Sequence, residues 1–475
     1  MTRMWKVVAV VTAVVLAVGG WAVYSRVNGR PAIDRVIFIG FDGASPNLLE
    51  PLLAAGKLPA IKRLMEVGAY GHIKSFRPTE SGILWTSVAT GKTMWKHGVI
   101  DWTYVKKAGL EVPYEDSARK VKTFWEILSE RGIRSGTLNW WWTYPAAPID
   151  NGYIVTDRYR LMTIIPPAPE TVYPASVFPG VKDLILKGKP KILPVMEREG
   201  IPNWKAEDAE TPFGGSRKTL DSYHLYFAQD YSVDRASDYL FEHEPVPVFS
   251  TYFRLVDVTC HFAYHYVERG LYDETVRLEQ EGKLTQADID KIDQEFARVL
   301  TPVYQFMDRI VDKYMRRMDG RTMLILCSDH GFMYSNGAYA HGGLAKEAPD
   351  GVVFMAGPGV TKGSRIEGAT LFDIAPTILF SIGQPIARDM DGGLLRGAFD
   401  DAYLKRHPVQ YVPTYETTQR KTGTSSTEKT EMDEKILEDL QTLGYIEDPT
   451  DKENKQPATP PSEKPAKKQK RQKDK

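Results

Sequence analysis

The sequence has little cysteine, no excess of either charge and no internal repeat. Its 475 residues include two cysteines, Cys260 and Cys327, which excludes a disulfide scaffold, an all-cysteine zinc site and an iron–sulfur cluster. The 61 Lys and Arg residues balance 61 Asp and Glu residues, so net charge gives no reason to expect a nucleic-acid partner. The cysteine count leaves the cellular compartment open.

Apolar and aromatic residues, by contrast, are plentiful. The chain is 42% hydrophobic and carries 24 Tyr, 18 Phe and 10 Trp residues, enough apolar surface to offset the entropy lost on folding. We therefore expect a sizeable core over most of the chain.

The amino terminus carries a long hydrophobic run. From Val7 to Tyr24 it has 18 uncharged residues, which at 1.5 Å per residue nearly cross a hydrocarbon layer of about 30 Å. This pattern predicts a membrane anchor within residues 1–30, with the rest of the chain outside the cytoplasm, in the periplasm or the extracellular space. The alternative is a cleaved signal peptide and a secreted protein, because Arg3 and Lys6 supply a basic flank.

The carboxyl terminus divides into two parts. Residues 416–448 are expected to be a linker and a short docked helix, because Ile436, Leu440 and Leu443 recur at helical spacing. Residues 449–475 form a Lys- and Pro-rich tail with no aromatic residue, and we expect this tail to be disordered.

Residues 31–415 alternate strand and helix patterns, starting with the apolar run Val36–Phe41. The further buried-strand candidates are Gly132–Leu138, Val248–Val256, Thr322–Ser328 and Val352–Ala356. Such runs are typical of parallel strands covered on both faces, so the sequence predicts an α/β fold: a three-layer α/β/α sandwich with a largely parallel sheet. Insertions near residues 158–218 and 265–320 interrupt the rhythm and are expected to cap the site. The amphipathic pattern over 286–318 predicts a helix kinked at Pro302.

Acidic residues and histidines follow three of the predicted strands. Because the carboxyl ends of parallel strands meet at one edge of a sheet, we expect these side chains to converge. Carboxylate and imidazole groups suit a borderline divalent ion, and six of them exceed the needs of one four-coordinate zinc, so two metal ions fit better. The six residues are Asp42, Asp257, His261, Asp329, His330 and His341.

A serine stands where a nucleophile could lie. Ser81 follows Pro78 and precedes an apolar helical stretch, so it is predicted at a helix start, where backbone N–H groups favour anions. The alternative on this local pattern is an ordinary capping serine.

Several segments of the sequence, taken in chain order, resemble the type I phosphodiesterase/nucleotide pyrophosphatase family of the alkaline phosphatase superfamily. The resemblance spans residues 36–395 and is carried by VIFIGFDG, PTES with TSVATGKTMWKHGVID, VDVTCH, CSDHG, HGG, MAGPGV, LFDIAPTIL and DMDGG. It implies an alkaline-phosphatase-like fold. It also implies that Ser81, ten residues before Gly91, is the nucleophile.

The resemblance also implies two ligand sets for divalent ions, with zinc favoured by the three histidines and manganese as the alternative. One ion would be held by Asp42, Ser81, Asp329 and His330. The other would be held by Asp257, His261 and His341.

One position departs from the family pattern. Many nucleotide pyrophosphatases carry, after the HGIID stretch, an asparagine that binds a phosphoryl oxygen, whereas here HGVID is followed by Trp102. Trp102 and Lys92 are therefore the predicted substrate-binding residues, with Lys92 as a replacement donor or, alternatively, a solvated lysine. The sulfatase branch fits poorly, because Ser81 does not begin the Cys/Ser-x-Pro-x-Arg motif.

We therefore expect a two-metal phosphohydrolase that cleaves phosphate esters, most simply diesters, through a phosphoserine intermediate. Its substrate would be a small molecule, a nucleotide or a lipid head group, and its oligomeric state is open. The alternatives are a phosphomonoesterase or phosphoryl-group transferase on the same scaffold, and a metal-loaded binding protein without catalysis.

Overall fold

The structure is a computed structural model that describes residues 33–106, 109–202, 217–261, 285, 287, 300–335, 338–340, 348–443 and 445–446. The predicted anchor or signal peptide, the basic tail, His341 and parts of both predicted insertions lie outside these residues. Within the described ranges, no helix has both the length and the apolarity needed to cross a bilayer.

Strands and helices alternate through most of the chain, as the apolar runs predict. The strands are β1 Arg35–Phe41, β2 Ala69–Lys74, β3 Thr103–Val105, β4 Glu111–Pro113, β5 Ser135–Leu138, β6 Gly152–Val155, β7 Val172–Tyr173, β8 Val248–Phe253, β9 Thr322–Cys327, β10 Met333–Ser335, β11 Ala338–Ala340, β12 Gly351–Ala356, β13 Ser364–Thr370, β14 Ile386–Ala387 and β15 Tyr411–Val412.

The helices vary in length from one turn to many turns. They are α1 Pro46–Ala54, α2 Pro59–Val67, α3 Ser81–Thr90, α4 Met94–His97, α5 Phe124–Glu130, α6 Phe178–Val181, α7 Lys189–Arg198, α8 Arg217–His243, α9 Thr301–Arg316, α10 Ile374–Ser381, α11 Asp401–Arg406 and α12 Glu431–Thr442, and residues 255–261 are also helical. Short 3₁₀ helices lie at Asp116–Ala118, Tyr159–Thr163, Pro169–Thr171, Ala175–Val177, Lys182–Leu184, Leu371–Asp373 and Arg396–Ala398.

Within the described residues, nine strands form the central sheet in the order β13-β2-β12-β9-β1-β8-β5-β6-β7. The five consecutive strands from β9 to β6 are mutually parallel. Strand β12 runs antiparallel to β9 and β2, and β7 runs antiparallel to β6. The expected largely parallel sheet is therefore confirmed.

Helices cover both faces of this sheet. On one face Phe38 of β1 contacts Trp85 of α3, with ring centroids 6.4 Å apart. Phe38 pairs in register with Ser250 of β8, so the neighbouring Phe249 points to the opposite face, where its ring lies 5.8 Å from Tyr314 of α9. The three-layer α/β/α prediction is confirmed.

One local prediction was wrong in detail, and a second is tested only in part. The strand expected over Val248–Val256 ends at Phe253, because the chain turns there into the helical residues 255–261. The helix predicted over 286–318 is described from Thr301 to Arg316, with Pro302 in its first turn, where a proline costs no internal hydrogen bond. Residues 288–299 lie outside the described residues, so the kink at Pro302 stays a prediction.

Candidate active site

Three neighbouring strands bring the predicted residues to one edge of the sheet. Asp42 directly follows β1, and Asp329 with His330 follows β9 after one intervening serine. Asp257 lies in the helical turn that follows β8. Because β9, β1 and β8 are adjacent and parallel, their carboxyl ends place these four side chains together.

The side chains form one buried polar cluster. Ligand atoms of Asp42, Asp257 and His330 all lie within 4.8 Å of one another, so these residues could hold a metal ion. Nε2 of His330 is 3.1 Å from Oδ1 of Asp42 and 3.8 Å from Oδ1 of Asp257. It is 3.6 Å from Oδ2 of Asp329, whose Oδ1 accepts a hydrogen bond from the Gly43 amide at 3.3 Å.

Ser81 is the first residue of helix α3 and points into this cluster. Its hydroxyl donates to Oδ1 of Asp42 at 3.2 Å and lies 3.5 Å from Nε2 of His330. The capping position is Glu80, whose side chain makes no capping hydrogen bond, so the capping alternative for Ser81 is wrong. The amino-terminal N–H groups of α3 therefore favour an anion beside Ser81.

Gly82 permits the close packing of α3 at this point. An ideal Cβ on Gly82 would lie 2.3 Å from Nε1 of Trp142, closer than real carbon atoms approach. Trp142 is itself buried and adopts a positive φ of 59°, which is uncommon for a bulky residue. A side chain at residue 82 would thus displace either the indole or Ser81.

Burial and mutual repulsion govern the charges of the cluster. Burial, together with the charge of Asp42, raises the pKa of Asp329 well above its ordinary value. Burial lowers the pKa of His330, but the charge of Asp329 and the hydrogen bond to Asp42 outweigh it and raise that pKa to about 10. Burial of three carboxylates without compensating positive charge would cost folding free energy, so this set of donors fits divalent cations. Oδ2 of Asp329 has no hydrogen-bond partner among the described residues, which agrees with a ligand role.

His261 extends the cluster toward the carboxyl-terminal segment. Its Nε2 is 3.5 Å from Oδ1 of Asp257 and 2.8 Å from the hydroxyl of Tyr445. The same hydroxyl donates to Oδ2 of Asp257 at 2.8 Å. The predicted pair Asp257 and His261 is therefore brought together, whereas His341 lies outside the described residues.

Two tyrosines of the site, Tyr252 and Tyr445, were not predicted from the sequence. Tyr252 of β8 donates a short hydrogen bond to Oδ2 of Asp42 and accepts one from Nε1 of Trp141 at 2.7 Å. Burial, together with the charge of Asp42, raises the pKa of Tyr252 well above its usual range, so the hydroxyl remains a donor. Its place on a strand next to β1 was the available signal, whereas nothing near Tyr445 in the sequence indicated a site.

Lys92 lies far from Ser81. It follows the carboxyl-terminal end of α3, whose ten residues span about 15 Å from Ser81. Its ammonium group pairs with Asp389 at 2.9 Å and Glu416 at 3.0 Å, and the side chain is buried. The alternative of a solvated lysine is therefore wrong, whereas the substrate-binding role of Lys92 stays a prediction. The contacts of Lys92 join α3 to the carboxyl-terminal part of the chain.

Trp102 lies beside the cluster with its indole already engaged. It is buried, its ring stacks on Tyr445 with centroids 4.5 Å apart, and it hydrogen-bonds to the Glu80 carboxylate. Burial and the charge of Asp101 raise the pKa of Glu80 to about 7, against the opposing hydrogen bond from Trp102. Trp102 therefore shapes the site through its neighbours.

A comparison with protein-family models agrees with this arrangement. Residues 36–368 match the family model described as type I phosphodiesterase / nucleotide pyrophosphatase. No curated protein sequence gives a significant match.

Three solved structures illustrate the partial structural similarity. A phosphonate monoester hydrolase from Silicibacter pomeroyi is 15% identical, with 76% of each chain covered and a TM-score of 0.42. Human ectonucleotide pyrophosphatase / phosphodiesterase 5 is 10% identical, with 76% of this chain and 97% of that chain covered and a TM-score of 0.43. A 2-O GAG sulfatase is 11% identical, with 77% of this chain and 73% of that chain covered and a TM-score of 0.45.

The family match covers the strand ends that deliver Asp42, Asp257, Asp329 and His330, together with Ser81 and α3. The chain therefore belongs to the type I phosphodiesterase / nucleotide pyrophosphatase family, a family of metal-dependent phosphoric ester hydrolases.

Proposed function

We propose that the protein is a two-metal phosphodiesterase that cleaves phosphate esters through a phosphoserine on Ser81. The observation that carries this proposal is the position of the Ser81 hydroxyl, which is 3.2 Å from Oδ1 of Asp42 and lies at the amino-terminal end of α3. A serine oxygen there faces buried cation ligands on one side and helix N–H groups on the other. Such a site favours a phosphoryl group.

The proposed ligands follow the two sets that the family resemblance implies. Asp42, Ser81, Asp329 and His330 would hold one ion. Asp257 and His261, with His341, would hold the second. Zinc is the favoured metal because imidazole nitrogen and carboxylate oxygen are its common ligands, and manganese is the alternative.

The reaction requires little chemistry from other side chains. Ser81 Oγ forms a bond to phosphorus as the bond to the leaving-group oxygen breaks, and the serine proton leaves with the released alcohol. Water then breaks the bond between Ser81 Oγ and phosphorus, which releases a phosphate monoester when the substrate is a diester and phosphate when it is a monoester. Bound divalent cations would supply Lewis acidity, which lowers the pKa of the attacking hydroxyl and stabilises the charge on the leaving oxygen. Asp42 accepts the Ser81 hydrogen bond and so orients the nucleophile.

The proposed substrate is a phosphate ester of a small molecule, a nucleotide or a lipid head group. We further propose that the protein acts outside the cytoplasm, held to the membrane by residues 1–30 or secreted after their cleavage. The hydrophobic run from Val7 to Tyr24 supports this location.

The test compares hydrolysis by the metal-loaded wild-type protein, Ser81→Ala and Ser87→Ala. Ser87 is a matched control, because it is a buried serine on the same helix that bonds to His97 at 3.0 Å. We expect Ser81→Ala to abolish turnover of bis-p-nitrophenyl phosphate and Ser87→Ala to retain it. Equal activity in Ser81→Ala and wild type would contradict the proposed nucleophile.

Two further assays separate the competing functions. A faster rate on mono- than on bis-p-nitrophenyl phosphate would identify a phosphomonoesterase or phosphoryl-group transferase. A protein that takes up zinc but hydrolyses neither ester would be the non-catalytic binding protein. A covalent group on Ser81 after brief incubation with substrate, detected by mass spectrometry, is expected only for the route through a serine intermediate. The group would be p-nitrophenylphosphoryl from the diester and phosphoryl from the monoester.

A further inference from the structure

Helix α12 carries Tyr445 into the site. The helix is fixed from both ends by buried ion pairs, Arg158 with Asp433 at 2.8 Å and Arg254 with Asp439 at 2.6 Å. Ile436 and Leu440 are fully buried between them. This docked helix lies beyond the segment that matches the family model, so the family pattern does not account for it.

The hydroxyl of Tyr445 touches both described members of one proposed ligand set. It donates to Oδ2 of Asp257 at 2.8 Å and lies 2.8 Å from Nε2 of His261. The oxygens of a phosphate ester must lie beside these ligands if cations are to bind them. Asp257 and His261 would bind a cation through the same side chains that now contact this hydroxyl, which would release its single proton for an oxygen of the phosphate ester beside them.

Trp102 contacts the ring that carries this hydroxyl. The resemblance places a phosphoryl-binding asparagine at residue 102, but the tryptophan there hydrogen-bonds to Glu80. Its ring instead stacks on the Tyr445 ring, with centroids 4.5 Å apart and an angle of 29° between the planes. The residue that replaces the expected donor thus holds another donor in position.

We propose that the Tyr445 hydroxyl donates a hydrogen bond to a non-bridging oxygen of the substrate phosphoryl group and that Trp102 is its positioning residue. The carboxyl-terminal segment then completes the site. This inference rests on the proposed function, because it assumes that a phosphoryl group binds beside Ser81 and Asp257.

The test uses Tyr445→Phe, which removes the hydroxyl and retains the ring that stacks on Trp102. Tyr226→Phe is the matched control, because it removes a buried hydroxyl that hydrogen-bonds to Asp439 of the same docked helix. The probe is inorganic phosphate, titrated calorimetrically into each zinc-loaded, full-length protein. Zinc per chain is measured by mass spectrometry, and thermal unfolding verifies that each variant folds.

We expect Tyr445→Phe to bind phosphate about 10- to 100-fold more weakly, the range for one hydrogen bond to a charged group. Its kcat/KM on bis-p-nitrophenyl phosphate should fall by a similar factor, while its zinc content equals that of wild type. Tyr226→Phe should keep the wild-type phosphate affinity.

Three outcomes would overturn the inference, and they are distinguishable. Unchanged phosphate affinity in Tyr445→Phe, with an active wild type, refutes the hydrogen bond alone. Loss of one zinc ion in Tyr445→Phe would make the tyrosine a metal ligand. A wild-type protein that hydrolyses neither ester refutes the proposed function, and the inference with it.

Discussion

The ion pair between Arg254 and Asp439 offers the sharpest test of how helix α12 is held. Arg254 is 2% exposed, and its two terminal nitrogens donate to the two carboxylate oxygens of Asp439 at 2.6 and 3.0 Å. Burial lowers the pKa of Arg254, but the charge of Asp439 outweighs burial and raises it, so the guanidinium stays charged. Asp439→Asn leaves that buried charge without its counter-ion.

The expected cost is about 3 kcal/mol, the lower end of the range for breaking a buried ion pair, because the asparagine carbonyl still accepts one hydrogen bond. Glu438→Gln is the control on the neighbouring residue. Glu438 pairs with Lys435 at 2.8 Å, but their side chains are 57% and 31% exposed, so this change should cost less than about 0.5 kcal/mol.

Amide hydrogen exchange of residues 431–442 measures both effects locally, without requiring the whole chain to unfold in one step. We expect the opening of α12 to become about 150-fold more frequent in Asp439→Asn, which is 3 kcal/mol at 1.4 kcal/mol per factor of ten. Glu438→Gln should exchange like wild type. Protection in Asp439→Asn within about fivefold of wild type would refute the claim that this pair fixes the helix.

Three further predictions concern the helix that carries Ser81, the buried His97 and the Lys92 cluster. Gly82→Ala should destabilise the fold by about 1–2 kcal/mol in a denaturant titration and lower kcat/KM, because its Cβ would overlap the Trp142 indole. Gly397→Ala, whose Cβ would meet no atom of the described residues within 4 Å, should be neutral or slightly stabilising in the same titration. Burial, and after it the charge of Arg119, lowers the pKa of His97 from 6.5 to about 3. As the pH falls, His97 therefore becomes protonated in the unfolded chain before it does in the folded one, and the free energy of unfolding should decrease between pH 6.5 and pH 3. His97→Gln should remove up to about 1.4 kcal/mol per pH unit of that slope, and an unchanged slope would contradict it. Lys92→Met should destabilise the fold, because it leaves the carboxylates of Asp389 and Glu416 without the ammonium group between them, and should not alter phosphate affinity. Weaker phosphate binding would instead support Lys92 as a substrate ligand.

The sequence was sufficient for the sheet and for the convergence of Asp42, Asp257, Asp329 and His330. Apolar runs covered on both faces identify parallel strands, and the polar residue after each run then lies at a known edge. Ser81 was predictable because a helix start is a local signal. The strand ending at Phe253 rather than Val256 shows the limit of such runs, because an apolar stretch also suits a buried helix.

Tyr445 could not have been predicted in the same way. Its place depends on the docking of α12 through Arg158 and Arg254, which are 275 and 185 residues away in sequence from their partners. Lys92 shows the same limit. Its neighbours in sequence gave no sign of Asp389 and Glu416, whose carboxylates hold its ammonium group.

We propose above that buried carboxylates and imidazoles hold two cations with the Ser81 oxygen directed at phosphorus. A crystal structure of the zinc-soaked protein with orthovanadate, recorded at the zinc absorption edge, tests it most directly. We expect two anomalous peaks about 4 Å apart among Asp42, Asp257, Asp329 and His330. We expect the vanadium to bond to Ser81 Oγ. Zinc peaks elsewhere on the chain, or vanadate bound away from Ser81, would contradict the claim.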